Sequence, residues 1–513
     1  MTTVTSAAPA DAGALRPRRL GIDTHREPVV VLRADAPVCR AEGFEAHARV
    51  AVSDGSREII ATLDILRGAG DGLLAADEAG LSEAAWAMLT PVATTRLRFR
   101  HAPPSDSMSH VRAKIFGHAL GETPLRAIID DVVAQRLSNV EITAFLVACA
   151  TGDMSAAETT ALTRAMIHSG ERLSWSQPLV VDKHCIGGLP GNRTTPIVVP
   201  IVTALGLIMP KTSSRAITSP AGTADTVATF THVDLDRETL RRVVEAEGGC
   251  MAWGGAMHLS PADDLLIRVE RLLEIDSEAQ LVASVLSKKA AAGSTHVVID
   301  IPVGPSAKVR SLDEARHLLA ALRTTADAIG LQLAGLISDG TQPVGRGIGP
   351  ALEAHDVIAV LQRRSEAPAD LRERALAVAA AVVELGGLAQ GEAAHALVRA
   401  VLEDGRAWRK FEAICLAQGG LREPGVAPLT WPLPAARAGV VSAIDNRLLA
   451  RAAKLAGAPH APTAGLRLAV RLGDSIEAGQ PLFVLHAEHQ GELEYARDFI
   501  ASHPALVHVE AAR

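Results

Sequence analysis

VVDKHCIGGLPGNRTTPIVVPIVTALGLIMPKTSSRAITSPAGTADTVATF (Val180–Phe230) holds two loops rich in Gly, Ser and Thr, each led by a lysine. Between them runs an apolar segment from Pro196 to Pro210. Loops of this composition present backbone N–H groups and hydroxyls, which suit oxyanions such as phosphate. The first, after Lys183, carries Gly187 and Gly188 behind a short apolar run, the arrangement of a strand end approached closely by a ligand. It lacks the GK[ST] ending of a nucleoside-triphosphate loop. The second, after Lys211, supplies Thr212, Ser213, Ser214, Thr218 and Ser219 beside Arg215, then Gly222 and Thr223. So many donors beside a guanidinium suit a phosphate and are expensive in a core. Asp225 has the alternative of a simple helix-capping role.

Around this stretch the apolar pattern alternates between short strands and longer helices. Strands are expected over 178–182, 207–210, 295–301 and 331–339, and helices over 195–205, 312–328 and 371–385. Alternation of this kind predicts an α/β domain with a mixed, largely parallel sheet. Upstream, residues 109–174 read as a small all-helical domain, with capping boxes at Ser138/Glu141 and Ser155/Glu158. Behind the first box, Val140, Ala144, Val147 and Ala148 recur at helical spacing and make one apolar face. Gly345, Gly347 and Gly349 make a GxGxG without the strand–turn–helix context of a dinucleotide site, and read as a loop bordering a cleft.

With 513 residues the chain is too long for one hydrophobic core. The expected organisation is a disordered tail over 1–15, an extra β-rich N-terminal domain over 16–104, and the helical and α/β parts over 105–430. A C-terminal α/β domain rich in β structure follows over 431–513. The formal charge is 51 − 58 = −7 with no basic block, which argues against nucleic-acid binding. Cys39, Cys149, Cys185, Cys250 and Cys415 form no CxxC pair, so neither a metal site nor a disulfide framework is expected. No apolar run has the length of a membrane span and no signal-peptide pattern opens the chain, so no membrane association and a cytoplasmic location are expected.

Six segments together resemble the thymidine/pyrimidine-nucleoside phosphorylase family, in particular the long branch that includes AMP phosphorylases. They are Gly117–Trp175, Asp182–Thr195, Lys211–Asp225, Pro261–Asp264, Val282–Val309 and Ser338–Glu353. The resemblance implies phosphorolysis of an N-glycosidic bond: thymidine plus phosphate gives thymine and 2-deoxyribose 1-phosphate. The alternative within the branch is a nucleoside monophosphate giving free base and ribose 1,5-bisphosphate.

By the same resemblance Lys183, Thr195, Ser213 and Thr223 hold inorganic phosphate, and Gly188, Ser214, Arg215, Ala216, Ile217, Thr218 and Ser219 contact the nucleoside or nucleotide. Ser284 and Lys288, four residues apart on one helix, match base-binding positions, and Lys308 a further ligand contact. Asp276 matches a proton donor, and His184 lies close to the leaving base. Lys288 with Lys289 could instead be a solvated helix end, Asp276 a cap and Lys308 surface charge. Cys185 stands where a phosphate-binding serine is expected, and Arg268 and Arg271 compete for the place of a base-binding arginine. Inorganic phosphate is a co-substrate, with no metal and no organic cofactor expected. The resemblance implies a homodimer or higher homo-oligomer through the helical domain, and a helical and an α/β domain on opposite sides of the site imply closure on substrate binding. Two other classes stay open: a phosphoribosyltransferase resembling the anthranilate enzyme, which needs acids for Mg²⁺-diphosphate where the loops offer Asp182 and Asp225, and a non-catalytic binding protein.

Overall fold

The structure, a computed structural model, describes residues 13–68, 72–152, 154–216, 219–257, 259–275 and 277–511. The chain forms two compact units, one running to Asp153 and taking in Leu265–Ile275, the other formed by Met154–Asp264 and the chain from Asp276 onward.

The first unit begins with β1 (Arg16–Arg19), β2 (Val29–Arg33), α1 (Pro37–Glu42), β3 (Arg49–Ser53), β4 (Glu58–Leu66), β5 (Glu78–Leu81), α2 (Glu83–Leu89) and β6 (Arg98–His101). The strands lie in the order β1-β5-β2-β4-β3-β6. A reciprocal backbone pair, Leu15 N to Leu97 O at 2.9 Å and Leu97 N to Leu15 O at 2.8 Å, joins the two edges into a closed barrel. Closure removes the unpaired edges. Val30, Leu32, Val50, Val52, Ala61 and Leu63 point inward at alternating positions. Leu15, placed in the tail by composition, is therefore a buried barrel residue, because its main chain completes the ring; residues 1–12 of that tail lie outside the described residues.

Helices α3 (Ser107–Ile115), α4 (Glu122–Val133) and α5 (Asn139–Thr151) follow. The expected capping box starts α5: Ser138 Oγ accepts from Glu141 N at 3.2 Å, and Ser138 N donates to Glu141 Oε2 at 2.7 Å. The apolar face read from Val140, Ala144, Val147 and Ala148 is not the one the helix buries. Ile142, Phe145, Leu146 and Cys149 face inward with Ala148, whereas Val140 is 78% exposed. This helix is apolar all round, so spacing alone matches two faces, and the bulkier one is buried.

The second unit opens on α6 (Ala156–His168), whose capping box is again present, with Ser155 Oγ accepting from Glu158 N at 3.2 Å. Next come β7 (Val181–Cys185), α7 (Thr195–Ala204), β8 (Met209–Ser213), α8 (Thr223–Ala228), α9 (Arg237–Glu247) and β9 (Gly249–Trp253). Helix α10 (Pro261–Leu273) runs into the first unit at Leu265. The chain then forms α11 (Glu278–Ala291), β10 (His296–Val303), α12 (Leu312–Ala328) and β11 (Gln332–Asp339). Every pairing among these strands is parallel. A bridge between Val180 and Ile208 links the two groups, giving the order β11-β10-β7-β8-β9.

From β7 the chain builds outward to β9, then crosses back to place β10 on the other side of β7. The topological switch point thus lies between β7 and β10, and ligands of open α/β sheets bind outside the carboxyl ends of the strands there. Two expected boundaries need correction. Lys183, His184 and Cys185 do not lie in a turn after the strand but inside β7, paired with Val298, Ile299 and Asp300. Likewise Lys211, Thr212 and Ser213 belong to β8. Parallel pairing carries both strands on past the end of their apolar runs.

Behind the sheet, α7 is almost wholly buried, and it packs with α14 (Ala369–Leu385) and α16 (Arg406–Ala417). Before these helices come β12 (Gly347–Ile348) and α13 (Pro350–Leu361), and α15 (Glu392–Glu403) lies between them. The tail folds as β13 (Leu429–Pro434), β14 (Gly439–Ile444), α17 (Asn446–Leu455), β15 (Gly465–Leu468), β16 (Ser475–Ile476), β17 (Pro481–Ala487), α18 (Gln490–Ser502) and β18 (Val507–Glu510). The GxGxG run is not a cleft loop: β12 pairs antiparallel with β15, fixing it in the C-terminal sheet β12-β15-β17-β13. A Cβ on Gly349, which has φ +132°, would stand 2.3 Å from the Ala464 carbonyl oxygen, so the glycine permits that close crossing. No helix among the described residues is long and apolar enough to cross a membrane.

Candidate active site

Side chains of a strand alternate between faces, so β7 presents Asp182 and His184 to one side of the sheet and Lys183 and Cys185 to the other. On the first side, Asp182 is almost wholly buried. Its Oδ2 accepts from Lys289 Nζ at 2.9 Å, and its Oδ1 lies 3.3 Å from Lys211 Nζ and accepts from the Lys183 main chain at 2.7 Å. Burial works against this carboxylate, but Lys211 and Lys289 outweigh it and hold it below the usual carboxylate range. Lys289 is itself pushed down to about 7 by burial. It is no solvated helix end.

On the same helix Lys288 Nζ donates to Asp263 Oδ2 at 2.7 Å and to Ser284 Oγ at 3.1 Å, so the expected Ser284–Lys288 pair is real. His184 sits among these cations. Burial, then Lys289, Lys211, Lys288 and Lys183, hold its imidazole well below the ordinary value, so it is neutral at physiological pH. It can offer a hydrogen bond but carries no proton to give as imidazolium.

On the second side, Lys183 is buried and donates to Thr194 Oγ1 at 2.7 Å, immediately before the first turn of α7, where Thr195 stands. Burial pushes its ammonium down to about 8. Cys185 Sγ accepts from Asn192 Nδ2 at 3.0 Å, and burial followed by Asp300 pushes its thiol well up, so it is no thiolate. Asp300, fully buried, accepts from Ser338 Oγ at 2.5 Å, and Arg374 donates to the same hydroxyl at 2.6 Å. Gly188, at φ +93°, ends close to the loop after β10: a Cβ there would stand 2.8 Å from Lys308 N.

Ser213 ends β8, and the second loop curls over Gly222, where Ala224 N donates to Ser214 O at 3.2 Å. Asp225 takes up the capping alternative: its Oδ2 accepts from Ala216 N at 2.6 Å and Gly222 N at 2.9 Å. Arg215 pairs with Asp225 at 3.3 Å and Asp234 at 3.2 Å, and lies 4.9 Å from the centre of the Trp253 ring. Ser219 Oγ donates to Ala221 O at 2.9 Å. Ile217, Thr218 and Asp276 lie outside the described residues. Arg268 serves the first unit, donating to His25 O at 2.9 Å and Asn139 Oδ1 at 3.4 Å, and Arg271 is exposed.

Comparison with known proteins follows the same plan. Residues 109–170 match the helical bundle domain of the glycosyl transferase family and residues 177–408 its a/b domain. Residues 440–503 match the pyrimidine nucleoside phosphorylase C-terminal domain. A relative named "Putative thymidine phosphorylase 2", from Acidovorax sp. (strain JS42), is 59% identical over 96% of this chain and 95% of its own length. The chain belongs to the thymidine/pyrimidine-nucleoside phosphorylase family. A second relative, named "Putative thymidine phosphorylase", from Chelativorans sp. (strain BNC1), is 55% identical over the whole of both chains. The crystal structure of anthranilate phosphoribosyltransferase from Thermus thermophilus matches 60% of this chain and 98% of its own at 20% identity, with TM-score 0.50, a likeness of fold alone.

Several residues of this phosphorylase-family site carried no role in the sequence reading. Asp263 carries no role of its own there, Lys289 reads only as a solvated helix end, and Asp182 only as an acid. Asp300, Arg193 and Glu353 were not singled out. Period-two alternation along β7 was the available signal for Asp182, since it puts that residue beside His184.

Proposed function

We propose that this protein is a pyrimidine-nucleoside phosphorylase of thymidine type, transferring a pentosyl group from a base to inorganic phosphate with neither metal nor organic cofactor. The observation that carries the reading is the cluster of cations at the switch point, with Lys211, Lys288 and Lys289 on the face of the sheet that carries a neutral His184 and Lys183 on the other face. A phosphate held by Lys183, Thr195, Ser213 and Thr223 would attack the anomeric carbon and offset its oxocarbenium charge. Ser284 and Lys288 would hold the base, and the Lys288 cation, fixed by Asp263, would offset the charge it takes up on leaving. His184 would add a hydrogen bond, and Asp276 keeps the proton-donor role the resemblance gives it. Gly188, Ser214, Ala216, Ile217, Thr218, Ser219 and Lys308 would border the nucleoside.

Two details support one phosphate over two and phosphorolysis over diphosphate chemistry. Arg215 is engaged by two aspartates and a tryptophan ring. Asp182 and Asp225 are both occupied by lysines or backbone amides. Outward-facing Val140 and Phe116, each 78% exposed, support a homodimer through the helices, and five free thiols fit a reducing cytoplasm. Purified protein with phosphate is expected to release thymine from thymidine and no base from AMP, CMP or UMP. Release from the monophosphates alone would replace this reading with the nucleotide one.

The Lys183 environment also sets a pH dependence. Phosphate favours the ammonium form, and burial has brought that proton's loss down from 10.5 to about 8. kcat/KM for phosphate is expected to fall as pH rises through about 8. No loss traceable to His184 should occur near 6.5 on the acid side, because its imidazole is already neutral there. Rates measured from about pH 5.5 to about pH 10, which brackets both values, check both limbs; a profile flat across that whole range contradicts the assignment of Lys183.

A further inference from the structure

The two anion loops leave different strands, and strand pairing alone does not fix the gap between their tips. One side chain crosses it. Arg193, the last loop residue but one before α7, is only 12% exposed, and its guanidinium makes three contacts in three directions. Nε donates to Glu353 Oε2 at 2.6 Å, Nη1 to Thr223 Oγ1 at 2.8 Å, and Nη2 to Ala221 O at 3.0 Å. Glu353, on α13, is 1% exposed, and its Oε2 also accepts from Thr226 Oγ1 at 3.0 Å on α8. The first loop is pressed from behind as well: a Cβ on Gly191 would stand 2.3 Å from Val344 O.

We propose that Arg193 is a positioning residue that sets the spacing of the two phosphate loops, with Glu353 as its buried anchor. This rests on the phosphorylase reading, since that is what makes both loops grip one anion. Thr223 is the link: Arg193 holds the hydroxyl of a residue whose backbone opens α8, while its own backbone leads into Thr194, the acceptor from Lys183 Nζ. A phosphate bridging Thr195 and Thr223 feels any change in that spacing, and a misplacement of about 1 Å can cost about a hundredfold. Only a planar fork reaches three acceptors in fixed directions, so a lysine cannot stand in for it.

The test uses the whole protein and its variants at these two positions. Arg193→Lys is expected to raise KM for phosphate by about tenfold or more while KM for the nucleoside stays within about twofold. It should also lose most of the rise in Tm that millimolar phosphate gives the wild type. Glu353→Gln, which keeps the shape of the anchor, should raise phosphate KM by a smaller factor. The double variant should be no worse than Arg193→Lys alone, because both changes break one strut. Low millimolar guanidinium should partly restore Arg193→Ala, which a generally damaged fold would not show. Unchanged phosphate KM in Arg193→Lys, or full additivity with Glu353→Gln, overturns the proposal. A wild type with neither phosphorolysis nor a phosphate-dependent Tm overturns the functional reading instead, so the two failures are distinct.

Discussion

Lys183→Met is expected to lower kcat/KM for phosphate by about a thousandfold, or about 4 kcal/mol of transition-state stabilisation. The size follows from where the charge sits. Lys183 is 2% exposed, so little solvent screens it, and it lies inside β7 with its ammonium on Thr194, just before the first turn of α7. Methionine matches the stem in volume and bends into irregular space, so packing survives the change. Stability should not fall with activity. The ammonium gives up its proton at about 8 in the folded chain against 10.5 for an ordinary lysine. Between those values the unfolded chain binds the extra proton, so the ligand-free fold carries a penalty that grows as pH drops from 10.5 towards 8 and persists below. Removing the charge relieves that penalty and forfeits one hydrogen bond to Thr194. Steady-state rates and thermal melts without phosphate decide the matter. Activity within about tenfold of wild type, where about a thousandfold loss is expected, or a Tm lower by many degrees, would mean that Lys183 is chiefly a structural cation.

The contrast between legible and hidden features of this chain is physical. Helix α12 was readable to the residue, because Ser311 accepts from Glu314 N at its start and its apolar residues keep one face. Both capping boxes were readable for the same local reason. The anion loops showed in composition, since Gly, Ser and Thr gather only where a backbone must donate. What stayed hidden depends on partners distant in sequence. The extension of β7 through Cys185 is dictated by β10, which follows only after five intervening helices and two strands. Arg215 looked like a ligand in its hydroxyl-rich run, but Asp234 and Trp253, from outside the loop, engage it. Arg193 has its role only through Glu353, 160 residues away, which no local pattern announces. Asp182 had the strongest local clue, its alternation with Lys183, yet its role needs Lys289 from α11 and Lys211 from β8.

That role carries the largest expected effect on stability. Asp182→Asn is expected to destabilise the ligand-free protein by about 3–5 kcal/mol, because it leaves two buried lysines without the carboxylate they share. Lys211 keeps an acceptor, the Thr212 carbonyl oxygen at 2.6 Å, whereas Lys289 Nζ donates to Asp182 itself. Most of the cost should therefore sit on Lys289. Adding Lys289→Met to Asp182→Asn should recover more than half of the loss, a coupling that a double-mutant cycle reads directly. The pH dependence gives an independent check. Lys289 already releases its proton at about 7, and losing its partner lowers that further, while the unfolded chain keeps the ordinary lysine value of 10.5. Above about 7 both folded forms have already lost this proton, so the deficit of Asp182→Asn should be small and level there, as at about pH 9. Below about 7 the wild-type fold regains the proton before the variant does, so the deficit should grow as pH falls towards about 6. Lys289→Met should abolish this trend as well as the deficit. Denaturant melts at those two pH values on the single and double variants measure each of these quantities. A deficit equal at both pH values, or untouched by Lys289→Met, would place the cost in the hydrogen bonding of the new amide rather than in charge.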